Sequence, residues 1–221
     1  LIRKPPYFPN MRSGWLALFL ILLASLNPIL MASAERPANT IYINEILVSP
    51  NNEQYDGTDW NGDGLMGTDN DQFLELHNPT SESINLTGWG IQINAPGGAD
   101  FQLCQIANDT VMDPDTYLVF YRAATNMEFS FWNGSTIKLL GEQNIVIHSI
   151  GYEAEDSDWD IPYGYDTSDI WSKLSEGSPT PGGSNEQEWV GTNHSQGDCW
   201  LNGENSDLDG DGVVNWYDAF P

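Results

Sequence analysis

Positive charge is scarce in this chain. Seven lysines and arginines stand against 32 aspartates and glutamates in 221 residues, a formal charge of −25. Arg3, Lys4 and Arg12 precede the first apolar run, and every acidic residue lies at or after Glu35. Beyond Ala34 the balance is therefore 4 − 32 = −28. Such a surface repels phosphate backbones and anionic lipid, which argues against a nucleic-acid partner. It attracts cations.

Catalytic signatures are missing as well. The three histidines, His77, His148 and His194, have no serine or cysteine beside them in a nucleophile setting. No HExxH, no CxxC and no phosphate-cradling glycine loop occurs. Glu153, Glu155, Asp156, Asp158 and Asp160 crowd around Trp159. A glycosidase, however, needs two carboxylates in environments that push their pKa values apart, and an acidic loop is ordinarily a solvated face. The expectation is a protein that is not an enzyme. His148, a lone histidine on a strand, is assigned no role. Only Cys104 and Cys199 are present, 95 positions apart. One disulfide suits an exported protein, but spacing alone leaves a buried free Cys104 equally open.

No stretch after residue 35 keeps a helical period. Seven runs instead alternate or are rich in Ile, Val, Leu, Tyr and Phe: TIYINEILV, QFLELH, SINLTGWGIQIN, FQLCQI, TYLVFYR, TIKLL and NIVIHSIGY. Turn signals separate them: NPT at 78–80, APGG at 95–98, DPD at 113–115 and NGS at 133–135. The pattern predicts an all-β, immunoglobulin-like antiparallel β-sandwich. After Tyr152 an acidic, aromatic stretch reads as a loop or domain edge. Residues 186–206, polar and rich in Gly and Asn, read as a linker.

Before the strands, MRSGWLALFLILLASLNPILMASAE carries a basic flank, an apolar stretch, Pro28 and the small-residue triplet Ala32-Ser33-Ala34. Residues 1–34 are expected to be a secretory signal peptide, with an uncleaved membrane anchor as the alternative. Either places the remainder outside the cytoplasm, secreted or at the cell surface, touching membrane only through that segment. Sequons at Asn85, Asn108, Asn133 and Asn193 are compatible with export.

The charge excess is concentrated in two short stretches. In DLDGDGVVNWYDAFP, residues 207–221, oxygen-bearing side chains fall at loop positions 1, 3, 5, 9 and 12: Asp207, Asp209, Asp211, Asn215 and Asp218. Gly212 comes directly after the third, where a calcium loop turns sharply, and Val213 offers its carbonyl at position 7. Like charges about 4 Å apart repel by roughly 4 kcal/mol at an effective dielectric near 20. A dication accepting six to eight oxygens removes that repulsion. A second stretch, DWNGDGLMGTDND, puts Asp59, Asn61 and Asp63 at positions 1, 3 and 5 and Leu65 at 7. Position 9 is Gly67 and position 12 is Asn70, so Asp69 or Asp71 are candidates after a change of register, with Glu75 from the next strand. Calcium is the expected cofactor. An ordinary acidic hairpin loop is the alternative for the second stretch, and a solvated tail for the first.

These residues carry two resemblances. DQFLELHNPTSESINLTGWGIQ, YLVFY, IVIHSIGY, Trp171 and GSPTPGGSN resemble the lamin tail domain of exported microbial proteins, over roughly residues 38–185. The resemblance implies an immunoglobulin-like sandwich used for binding or scaffolding, often attached to secreted hydrolases and bringing no catalytic residues. His148 stands where family members often carry Asp. The terminal motif, 207–221, resembles the thrombospondin type 3 calcium repeat and related dockerin loops, although it stands alone and ends its loop on Asp218 where an EF-hand has Glu. The functional expectation is a non-catalytic, calcium-stabilised interaction or adhesion module, meeting a protein or polysaccharide at the cell surface. A carbohydrate-binding accessory domain of a secreted hydrolase is the alternative, since sugars stack on flat aromatic rings and eight tryptophans lie beyond Ala34.

Overall fold

All seven apolar runs fold as strands. The structure, a computed structural model, describes residues 36–94, 101–130, 134–153, 159–174, 179–189 and 191–201. Among these residues the strands are β1 (Tyr42–Leu47), β2 (Phe73–Asn78), β3 (Ile84–Asn85), β4 (Gly90–Asn94), β5 (Phe101–Ile106), β6 (Val111–Met112), β7 (Thr116–Tyr121), β8 (Ser135–Leu140), β9 (Val146–Tyr152), β10 (Tyr163–Tyr165), β11 (Trp171–Lys173) and β12 (Cys199–Leu201). The run SINLTGWGIQIN divides into β3 and β4, because Gly88 adopts a φ of +80° and turns the chain between them.

Two five-stranded antiparallel sheets result. The first has the order β11-β10-β1-β2-β7 and the second β12-β5-β4-β8-β9, with β3 and β6 as a small ribbon beside them. This is the all-β, immunoglobulin-like sandwich expected. Alternate residues of each strand face the partner sheet. Ile43, Ile46, Leu74, Leu76 and Phe120 meet Ile91, Ile93, Ile137, Leu139 and Ile150 in the main core.

The stretch expected to be a loop or domain edge holds β10 and β11, which extend the first sheet beyond β1. The stretch expected to be a linker also packs onto the sandwich. Gly197 N–H donates to Val119 O and Val119 N–H to Ser195 O, and β12 pairs with β5. Cys104 and Cys199 are joined as a disulfide across that last pair, with their Cα atoms 5.4 Å apart. Short strands rich in Gly, Tyr and Trp lack the aliphatic alternation that marks the others, so composition reads them as irregular.

Strand β1 carries a bulge at Asn44: Ile43 is opposite Leu76, and Glu45 is opposite Glu75. A bulge inserts one extra residue and inverts the facing of the residues beyond it. Ile43 and Ile46 therefore both point into the core, while Glu45 joins Tyr42 and Leu47 on the outer face. That single inserted residue creates the most unusual feature of the molecule.

Candidate functional site

Glu45 and Glu75 have no exposed surface. They lie on the outer face of the first sheet, where residues 179–189 cross β10, β1 and β2 and cover them. Thr180 donates to Glu45 through its backbone N–H at 3.0 Å and its hydroxyl at 2.6 Å. Gly182 N–H donates to Glu75 Oε2 at 2.6 Å, and Asn44 Nδ2 to Oε1 at 2.7 Å. Asn185 closes the arrangement, donating to Asn44 O and Tyr165 O while accepting from Asn44 Nδ2. Gly164 leaves the room for it: a Cβ there would fall 2.4 Å from Asn185 Nδ2. Gly182 sits at a φ of +89°, pressed against His194, in a conformation suited to glycine alone.

Burial raises both carboxyl pKa values, Glu45 to about 7 and Glu75 well above the usual range because the charge of Glu45 adds to burial. The hydrogen bonds from Thr180, Asn44 and the Gly182 and Gly183 amides oppose that rise without cancelling it. Sequence reasoning misses this pair. It offers Glu75 as an extra ligand for the loop at Asp59, and the structure corrects that, since Glu75 is fully buried beneath the covering segment, bonded to Asn44 and Gly182. The signal is present in the GSPTPGGSN stretch, whose amides are the donors.

His148 is the second residue that sequence reasoning misses. Its Nδ1 accepts the Ile43 N–H at 3.1 Å, the group that the bulge frees from its ladder, and Nε2 meets Tyr165 Oη at 2.9 Å. Burial lowers its pKa to about 4. His148 is thus a neutral pin between the two sheets, although an isolated histidine in an apolar run carries no signal of that role.

The loop from Asp59 to Asn70 gathers Asp59, Asn61, Asp63 and Asn70. Asp59 Oδ1 accepts from Gly62 N–H at 2.7 Å and Asp63 N–H at 3.2 Å, and Oδ2 from Gly64 N–H at 2.8 Å. Asn61 Oδ1 accepts from Asp63 N–H, and Asp63 Oδ1 from Leu65 N–H. Asn70 Nδ2 donates to Asp63 Oδ2 at 2.9 Å, and the Asn61 amide donates to Asn70 Oδ1. The Asn70 amide, above all, holds the Asp63 carboxyl below its usual pKa.

Asp69 and Asp71 do not join this cluster. Asp69 turns outward to Arg122 at 3.1 Å. Asp71 is wholly buried and accepts from Trp60 N–H, Gly67 N–H and Asn61 N–H, which fixes the loop to the sandwich. Burial lifts Asp71 to about 6 despite those donors. Trp60 packs against Leu47, Phe73, Val119 and Tyr121 on the outer face, with Trp189 of the covering segment beside it. Leu65 is 63 % exposed. Among the described residues no group of three His, Cys, Asp or Glu side chains is placed to hold a metal ion. A cation in this loop would therefore draw on the amide oxygens of Asn61 and Asn70 and the Leu65 carbonyl as well as two carboxylates. The terminal motif, Asp207 to Asp218, and the apolar N-terminal segment lie outside the described residues.

The lamin tail domain family model matches residues 34–154, rather more than half of the chain. The match ends two positions past the last residue of β9, while the sandwich continues through β10, β11 and β12. No curated protein and no solved structure matches the chain.

Proposed function

The chain belongs to the lamin tail domain family, an immunoglobulin-like module without catalytic machinery, and on that premise we propose that it is a non-catalytic interaction or adhesion module working outside the cell or at its surface. Calcium stabilises it, held by Asp59, Asn61, Asp63, Leu65 O and Asn70, with a second ion in the terminal motif of Asp207, Asp209, Asp211, Val213, Asn215 and Asp218.

The observation that carries this reading is the loop at Asp59. Four oxygen-bearing side chains in the expected register close on one another there, while Asp71 and Trp60 anchor the loop to the rigid body. A dication is the partner that an acidic surface attracts most strongly, and oxygen ligands at this spacing suit calcium. Catalysis fits poorly: the most strongly perturbed carboxyl pair, Glu45 and Glu75, is sealed from any substrate. Among the described tryptophans only Trp159 is exposed, at 42 %, so a protein partner is better supported than a stacked polysaccharide.

Titration calorimetry of the folded chain with calcium is the test. Saturable heat, with melting raised by calcium and lowered by chelator, is expected; no heat would remove the ion from the proposal. A glycan array distinguishes the partner classes, and clear polysaccharide binding would favour the accessory-domain alternative.

A further inference from the structure

The covering segment makes few bonds of its own backbone to the sheet. Among the described residues its backbone-to-backbone hydrogen bonds are internal, from Gly183 to Thr180 and from Gln187 to Ser184. Its attachment to β1 and β2 runs through side chains, and two of its amides, Thr180 N–H and Gly182 N–H, end on the buried carboxyl groups. Downstream the chain is secured independently, by the bridge to β7 at Val119 and by the Cys104–Cys199 disulfide.

The geometry points to residues 179–189 acting as a pH-gated strap: it lies closed over Glu45 and Glu75 in neutral to mildly acidic surroundings and opens in alkaline ones, uncovering the outer face of the first sheet while the disulfide keeps it tethered.

Proton linkage sets the direction. With the strap closed, the two carboxyl groups are out of water, face to face across one ladder position. With it open they are solvated and titrate as ordinary glutamates. The closed form binds protons more tightly, so removing protons favours the open form, by up to tenfold per pH unit for each proton released. The raised pKa values of both groups agree with that direction.

The surroundings do not neutralise the pair. On the sheet its titratable neighbours are Tyr42, His77, Tyr117 and Tyr121, all uncharged near neutrality because burial raises the tyrosines and lowers the histidine. On the covering side His194 is also kept neutral by burial. Asp59, Asp71 and Asp115 add negative charge at the margin, raising the tyrosines further. Among the described residues Arg36 is the cation that acts on this face, through Tyr42, His77 and Tyr117, but it is engaged with Asp169 and lies over the Tyr165 ring. Ionising both glutamates therefore leaves like charges in a dry site, and opening is the route that hydrates them.

Hydrogen–deuterium exchange on the full oxidised chain at pH 6.0 and pH 8.5, corrected for intrinsic exchange, tests the strap. Amides of 179–189 are expected to lose at least tenfold more protection at the higher pH than those of β4 and β8, whose loss is limited to the fall in global stability. Glu75→Gln and Glu45→Gln, each verified as folded, are expected to shrink the response. Protection in the strap that changes less than threefold overturns the proposal, as does loss in step with β4 and β8, which would be global unfolding. The wild-type comparison decides the matter even if neither variant folds.

Discussion

Glu45 and Glu75 are register partners on adjacent strands, both fully buried and both hydrogen-bonded from the same covering segment. Carboxyl groups so placed are stable to the extent that they hold protons. The FLEL strand and the SPTPG stretch, far apart in sequence, meet at this point.

Overall stability is expected to decline as pH rises. Glu45 titrates at about 7 when folded and near 4.5 when unfolded, so the folded form keeps a proton that the unfolded form releases. Stability is full below about 4.5 and falls through 7, by about 3 kcal/mol for this one group. Glu75, raised further, extends the decline to higher pH. Calorimetric melting between pH 5 and 8 should show Tm falling, and Glu75→Gln should flatten the slope. A Tm that rises over this range contradicts the assignment.

The opposite limb belongs to His148. Its folded pKa of about 4 lies below the ordinary 6.5, because burial disfavours the imidazolium. Its neutral form thus supports the fold above pH 6.5, and that support is lost as pH falls toward 4. The expected loss is on the order of 3 kcal/mol. His148→Leu leaves the Ile43 N–H unpaired, which costs about 1–3 kcal/mol near neutrality. The gap between wild type and variant should then close as pH drops from 6.5 to 4. A gap independent of pH would mean that His148 only fills space.

These three residues show where sequence reasoning stops. The core strands are legible because Ile43, Leu74, Leu76 and Ile137 repeat with the period of a pleat. Glu45 is not, since one bulged residue, Asn44, moves it to the other face, and its trace in the alternation is the three-residue step from Ile43 to Ile46, which fits a strand end equally well. His148 and Thr180 act across more than 100 positions of sequence, on Ile43 and Glu45, and no local pattern encodes such a pairing. That Asp59, Asn61, Asp63 and Asn70 come together is legible because all four are local. The anchor of their loop, Asp71, reads in the sequence as a replacement ligand because only folding shows which way a side chain turns.

The disulfide closes most of the domain into one loop, its two cysteines, Cys104 and Cys199, standing 95 positions apart. Constraint of the unfolded chain by a loop of that size is worth up to about 4.7 kcal/mol. Reduction, or the paired change Cys104→Ser with Cys199→Ser, is expected to lower the urea midpoint accordingly and to free β12 from β5. A shift under about 1 kcal/mol would indicate that pairing of β12 and the Val119 bridge hold this region without the covalent link.

Asp59 and Asp71 should separate the loop's ion from its scaffold. Asp71 is buried and accepts three backbone N–H groups, so Asp71→Ala is expected to destabilise the chain by about 2–4 kcal/mol with or without calcium. Asp59 bonds only within the loop, and Asp59→Ala should cost under about 1 kcal/mol in chelator. In calcium the difference grows. Free ion at 100 times its dissociation constant adds about 2.7 kcal/mol to a chain that binds it at one site. With the terminal motif silenced by Asp209→Ala and Asp211→Ala, that increment should be present in the otherwise unchanged chain and absent in Asp59→Ala. Retention of the full increment in the Asp59 variant would place the ion elsewhere, and the loop's register would then be a property of its turns alone.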